Sequence, residues 1–242
     1  MNPNKVAIVG ASRLTADWHQ LLKDNGIPVS ISPDARPVAP DTDVIVETIA
    51  AGAMHKRATL EQLDQAAPGA VILTSCLRWS TTTLGSWVSK PERLVGFATF
   101  YPLAKRNVIE LARGLNTSAT TIEAALGFIA ALDKETVEVK DAPGLVFPRI
   151  LSLIVNEAAR GLDEGIATAE EIDVALRLGT NYPQGPLRWG DEIGLDEVLA
   201  VIEGLQEETG DDRYRPAPLL KKMVVAGHLG AASGRGFYKY AE

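Results

Sequence analysis

The sequence predicts two domains of different kinds: an α/β domain built on a parallel sheet, followed by an all-helical one. Three observations carry this expectation. Residues 1–140 alternate short apolar runs with helical patterns, as βαβ units do. The first run ends at Gly10 and opens directly into a helix, the layout of a phosphate-binding turn. From Asp141 onward the runs stop and only helical periodicities remain. The expected boundaries are therefore 1–140 for the first domain and 141–242 for the second.

Taken in order, the strands are KVAIV, PVSIS, DVIVET, AVILTS and RLVGFAT, each close to a continuous apolar run, as strands covered on both faces should be. In VAIVGASRLTADW, residues 6–18, Gly10 holds the first position of a GxGxxG turn, while Ser12 and Thr15 stand at the second and third. That turn is either a weakened nucleotide site at a helix N-terminus or a plain strand-to-helix turn. The second and third strands are joined only by PDARPVAPDT, ten residues with three prolines, where a parallel crossover usually has a helix. Residues 53–66 form a helix with Met54, Ala58 and Leu63 on one face, stopped by Pro68 and Gly69. TSATTIEAALGFIAALDK supplies a further helix, and TVEVK a further strand.

In the second domain, residues 149–164 place Ile150, Ile154 and Ala158 on one stripe, with Leu151, Val155, Ala159 and Leu162 beside it. Thr168 and Glu171 form a capping box for a helix ending at Gly179. Asp196 is expected to cap the next helix, with Val198, Leu199, Ile202 and Leu205 inward and Gly210 as its stop. PLLKKMVVAG is a further helix, and GRGFYKY a glycine-loosened aromatic tail.

With 31 acidic against 24 basic residues and a formal charge of −7, the chain is unsuited to a nucleic acid or an anionic membrane as partner. An acidic ligand has to be met by local donors. The lone cysteine, Cys76, excludes an internal disulfide or a cysteine-based metal cluster and fits a reducing compartment; it is a nucleophile at a strand end or a small core residue. No basic leader runs into a long apolar stretch, and no stretch is long enough to span a bilayer, so the expected location is cytoplasmic. His19, His55 and His228 read as surface or boundary residues.

Longer motifs say more. DAPGLVFPRI, the stretch NEAARGLDEGIATAEEIDVALRLGTNYPQGPLRWGDEIGLDEVL, RPAPLLKKMVVAGHLG and SGRGFYKY follow one another in the second domain. DVIVETIAAGAMHKRATLEQLDQAAPGAVILTS and RLVGFATFYPLAKRNVIELARG stand in the first. In order and spacing these resemble the 3-hydroxyacyl-CoA dehydrogenase family, with closest similarity to bacterial 3-hydroxybutyryl-CoA and 3-hydroxyadipyl-CoA dehydrogenases. The resemblance implies a Rossmann-like N-terminal domain, here shortened between its second and third strands, and an all-helical C-terminal domain that joins two subunits. It implies an oxidoreductase of fatty acid metabolism that uses NAD and no metal to oxidise the 3-hydroxyl of an acyl-CoA, usually as a homodimer.

Carried over residue by residue, the resemblance assigns cofactor contacts to Gly10, Ser12, Arg13, Leu14, Asp34, Thr48 and Lys56. Glu110 matches the glutamate that orients the family's catalytic histidine, and Ser75, Cys76, Ala98 and Pro148 fall in the substrate cleft. The histidine position itself is Ala98, and Pro148 stands where the family has a substrate-binding asparagine. Cys76, Leu77, Arg78 and Trp79 replace a small polar run, with Ser75 or Ser80 as substitutes for its serine. The residue that grips the ribose aligns with Pro33, next to Asp34. Losing a general base alone costs about 10²- to 10⁴-fold in rate. The family reaction is therefore expected to be weakened or lost. The alternatives are a non-catalytic acyl-CoA or nucleotide-binding or partner subunit, or a different reaction in the same cleft using Cys76 or Tyr101.

Overall fold

The computed structural model describes residues 5–240, and the chain divides into two compact units, Met1–Val146 and Phe147–Glu242. The leader expectation rests partly on residues 1–4, which lie outside the described residues.

The first unit is a seven-stranded sheet in the order β2-β1-β3-β4-β5-β6-β7. Its strands are β1 (Val6–Val9), β2 (Val29–Ser32), β3 (Val44–Glu47), β4 (Val71–Ser75), β5 (Leu94–Ala98), β6 (Val108–Arg113) and β7 (Glu135–Val139). Its helices are α1 (Arg13–Asp24), α2 (Ala53–Ala66), α3 (Thr81–Gly85) and α4 (Ala119–Ala130). β1 to β5 pair in parallel, as the alternation of apolar runs and helices predicts. The sheet is not wholly parallel, however: β6 returns antiparallel to β5, and β7 pairs in parallel with β6. β6 was not expected from sequence.

Two other expectations need correction. β2 is not covered on both faces, because it is an edge strand: Ile31 is 45% exposed and only Ser32 is buried. On α2, Met54 is 89% exposed and Ala58 is also outward, while Lys56, Thr59, Leu60 and Leu63 are buried. The inward face is turned because Lys56, though charged, has its partner inside. The β2–β3 connection is a pair of turns, closed by Val38 N–H on Ala35 O and Thr42 N–H on Ala39 O, as the proline content predicts. Trp18 anchors the core, edge-on to Phe97 and stacked on Phe128 with centroids 5.6 and 6.5 Å away.

The second unit is helical: α5 (Phe147–Asp163), α6 (Ala169–Thr180), α7 (Pro186–Ile193), α8 (Leu195–Thr209) and α9 (Pro218–Val225). On α5 the predicted broad face divides. Leu151, Val155 and Ala159 are buried within the unit, whereas Ile150 is 53% exposed. Thr168 and Glu171 form the expected capping box, and α6 ends at Asn181 in the left-handed conformation, just past Gly179. Gly194, not Asp196, caps α8; Asp196 lies in its first turn, where a negative charge suits the helix dipole. Gly210, at φ +65°, ends α8 as expected.

The tail is bound rather than loose. Both carboxylate oxygens of buried Asp191 accept hydrogen bonds, from Phe237 N–H and Tyr238 N–H at 2.9 Å each, and Tyr240 OH adds a third at 3.0 Å. A side chain at Gly236 would collide with that carboxylate, which explains the glycine. Asp173 likewise accepts from Leu187 N–H, Arg188 N–H and Tyr238 OH, capping α7. Among the described residues no helix is long and apolar enough to cross a membrane.

Candidate functional site

In an open parallel sheet, ligands bind beyond the C-terminal strand ends, at the point where strand order reverses. Here the chain passes from β2 on one side of β1 to β3 on the other, so that point lies between β1 and β3. The residues that follow these two strands meet there. Gly10 sits at φ +140°, and a Cβ on it would collide with the Thr48 hydroxyl. Ser12 caps α1 in a reciprocal box: Thr15 N–H donates to Ser12 Oγ at 3.3 Å, and Ser12 N–H donates to Thr15 Oγ1 at 3.0 Å. Thr15 Oγ1 lies 2.7 Å from Thr48 Oγ1, and Thr48 donates onward to Val9 O at 3.3 Å. The two threonine hydroxyls thus share a buried hydrogen bond, with Ser12 N–H on one side and Val9 O on the other.

A dinucleotide turn has to aim backbone N–H groups at pyrophosphate and keep its second position clear. In this turn the Ser12 amide points at Thr15, and Thr15 and Thr48 are buried. The residues present do not provide the open turn of a GxGxxG fingerprint. Of the other cofactor candidates, Leu14 is a core side chain, and the Arg13 guanidinium lies 4.3 Å from the Tyr101 ring centroid. Asp34 accepts from Arg36 N–H at 3.1 Å in a local turn after β2.

Lys56 is fully buried, and its ammonium donates to Glu47 Oε2, Ile49 O and Ser75 O at 2.7, 2.6 and 2.7 Å. Three donors meet three acceptors. Burial pushes the Lys56 pKa down, and the Glu47 carboxylate draws it partly back. Thr74 OH and Ile49 N–H complete the shell of Glu47. The structure thus puts Lys56 in a pair that clamps the ends of β3 and β4. Sequence reading missed Glu47; an acid closing an apolar strand was the available signal.

At the end of β4, Ser75 is buried, and its hydroxyl has no hydrogen-bond partner among the described residues. Cys76 is fully buried, its thiol faces Phe97 O at 3.1 Å, and burial above all raises its pKa far above the usual thiol range. That is the environment of a small core residue, not of a nucleophile. Arg78 lies over Trp79, which meets Trp87 edge-on at 5.4 Å. Ser80 caps α3 through Thr83 N–H. Asp141, another residue that sequence reading missed, accepts from Thr81 N–H and Thr82 N–H at 2.6 and 2.8 Å, and so ties the DAPG segment to α3.

Ala98 and Glu110 are brought together. They are directly paired across β5 and β6, and both are buried. Glu110 Oε2 accepts from Val146 N–H at 2.7 Å. In the second unit, Pro148 is buried near the start of α5, and Trp189 packs with Phe147 and Tyr182 at 6.3 and 6.2 Å. His19 and His228 are half-buried and His55 is exposed. Among the described residues no three His, Cys, Asp or Glu side chains come together as a metal ligand set.

A mostly parallel sheet with its switch point beside a glycine turn, followed by a helical unit, defines a protein of the Rossmann-like dinucleotide-binding type. Residues 28–142 match the 3-hydroxyacyl-CoA dehydrogenase NAD binding domain, and residues 144–240 match the C-terminal domain of the same enzymes. The chain belongs to the 3-hydroxyacyl-CoA dehydrogenase family. A probable 3-hydroxybutyryl-CoA dehydrogenase of Bacillus subtilis is 39% identical over 84% of this chain and 71% of its own length. The crystal structure of (S)-3-hydroxybutyryl-CoA dehydrogenase from Ralstonia eutropha superposes with a TM-score of 0.77 at 33% identity, over 99% of this chain and 100% of that one. FadB2 of M. tuberculosis gives a TM-score of 0.88 at 25% identity, with both chains covered in full. The NAD-domain match begins at residue 28, after the first βα turn, which is the part that carries a phosphate fingerprint.

Proposed function

We propose that this chain is a divergent 3-hydroxyacyl-CoA dehydrogenase-family protein that binds an acyl-CoA-type ligand without performing the family's hydride transfer. One observation carries the reading: Ala98 faces Glu110 across β5 and β6. Oxidising an alcohol requires a group that takes the hydroxyl proton as hydride leaves, and a methyl group has no lone pair to do so. Glu110 has no imidazole opposite it, and one of its oxygens holds Val146 N–H instead. Pro148 has no side-chain amide for a substrate oxygen. Cys76, buried and hard to ionise, argues against a thiol reaction in the same place.

In this reading the protein acts as a cytoplasmic homodimer joined through its helical unit, where Ile150, Ile166, Val174 and Leu178 are exposed. A second reading, a slow dehydrogenase, is favoured by the 39% identity to a probable 3-hydroxybutyryl-CoA dehydrogenase. The assay is NADH-dependent reduction of acetoacetyl-CoA by the full chain. The expected outcome is no turnover above background; turnover that Glu110→Ala abolishes would overturn the proposal and establish the second reading.

A further inference from the structure

Hydride transfer needs a bound dinucleotide as well as a proton acceptor, and the turn after β1 is where a dinucleotide would bind. Gly10, Thr15 and Thr48 occupy the mouth of the β1/β3 switch point, and all three are buried. Hydrogen bonds link the turn into a chain: Ser12 N–H donates to Thr15, the Thr15 and Thr48 hydroxyls bond to each other, and Thr48 reaches the Val9 carbonyl. We infer that this hydroxyl chain closes the switch point to dinucleotides, by satisfying from within a donor that a bound pyrophosphate would otherwise draw on.

Each link has a physical reason. Ser12 and Thr15 stand where a fingerprint turn has its second and third glycines, so the closing groups are the side chains that those glycines lack. The Thr15–Thr48 bond runs between the turn after β1 and the residue after β3, bridging the crevice where the phosphates would lie. Opening it would break a buried hydrogen bond, which costs free energy that ligand binding has to recover. Thr48 also explains why Gly10 alone of the three positions remains glycine: its Cβ would occupy the place of the Thr48 hydroxyl.

The test is an NADH titration of the full chain, read by energy transfer from tryptophan to nicotinamide, with no substrate and no turnover. A failure here is therefore distinct from a failure of the proposed function. Wild type is expected to show no saturation up to about 1 mM, and the Ser12→Gly/Thr15→Gly variant to bind at least about 10-fold more tightly. Micromolar binding by wild type, or a folded double-glycine variant that binds no better, would overturn the inference. If the variant does not fold, amide exchange on wild type decides. A slowly exchanging Ser12 amide supports the closed chain, and exchange at the rate of an open turn refutes it.

Discussion

Two regions of this molecule bury polar side chains against glycines, and they use opposite chemistry. At the β1/β3 switch point the buried groups are neutral hydroxyls, meeting at Gly10. In the helical unit they are carboxylates, with Asp173 and Asp191 holding α7 and the tail against Gly185 and Gly236. In the helical unit, the residues that resemble the family are the ones that carry the packing: Gly236 makes room for Asp191, and Asp191 fixes the tail backbone. In the first unit, Ser12 and Thr15 stand at two of the three fingerprint positions, and there they cap α1.

The largest effect is expected at the charged pair of the first unit. Lys56→Met should destabilise the protein by about 3–5 kcal/mol in urea denaturation, because Glu47 is left buried without a counter-charge. Removing both charges should restore most of that loss. A single-variant cost below about 1 kcal/mol would mean that Glu47 finds water, and that this end of the sheet is more open than its burial indicates.

Asp191 offers a smaller effect that depends on pH. Burial raises its pKa above the ordinary 3.8, against three hydrogen bonds that lower it. A carboxyl with a raised folded pKa binds its proton more readily folded than unfolded. Its stabilising contribution is therefore full below the unfolded value and is lost as pH rises through the folded one. Relative to Asp191→Asn, wild type should lose stability across that acidic window, as followed by thermal melts at stepped pH. An identical slope in the two proteins would show that Asp191 titrates normally.

The smallest perturbation is chemical. Cys76 in the native protein should react with a thiol reagent only at the rate of unfolding, since the thiol is buried and hard to ionise. Rapid native labelling would reopen the strand end as a reactive site.

What was legible in the sequence follows from the range of each interaction. Strands β1, β3, β4 and β5 are apolar runs covered on both faces, so composition alone reveals them. β6 reads Val-Ile-Glu-Leu-Ala-Arg, neither a continuous apolar run nor a strict alternation, and that pattern does not separate it from the preceding segment. α7 is short and opens with Pro186 after Gly185, so it reads as a loop until Asp173, 14 residues upstream, is seen to cap it. Ala98 and Pro148 are singled out only by resemblance to a known pattern, not by composition or periodicity. The hydroxyl chain was not legible, because Thr48 lies 33 residues from Thr15 and only the fold brings them together.

The proline-rich connection leaves β2 without a crossover helix, and with one flank of the sheet uncovered. β2 is four residues long and is bracketed by Pro28 and Pro33. A proline offers no N–H to a neighbouring strand, so the pairing surface stops abruptly at both ends. A foreign strand laid along this edge would find a register too short to hold it. The prolines that stand in for a helix thus also guard the sheet against growth by self-association.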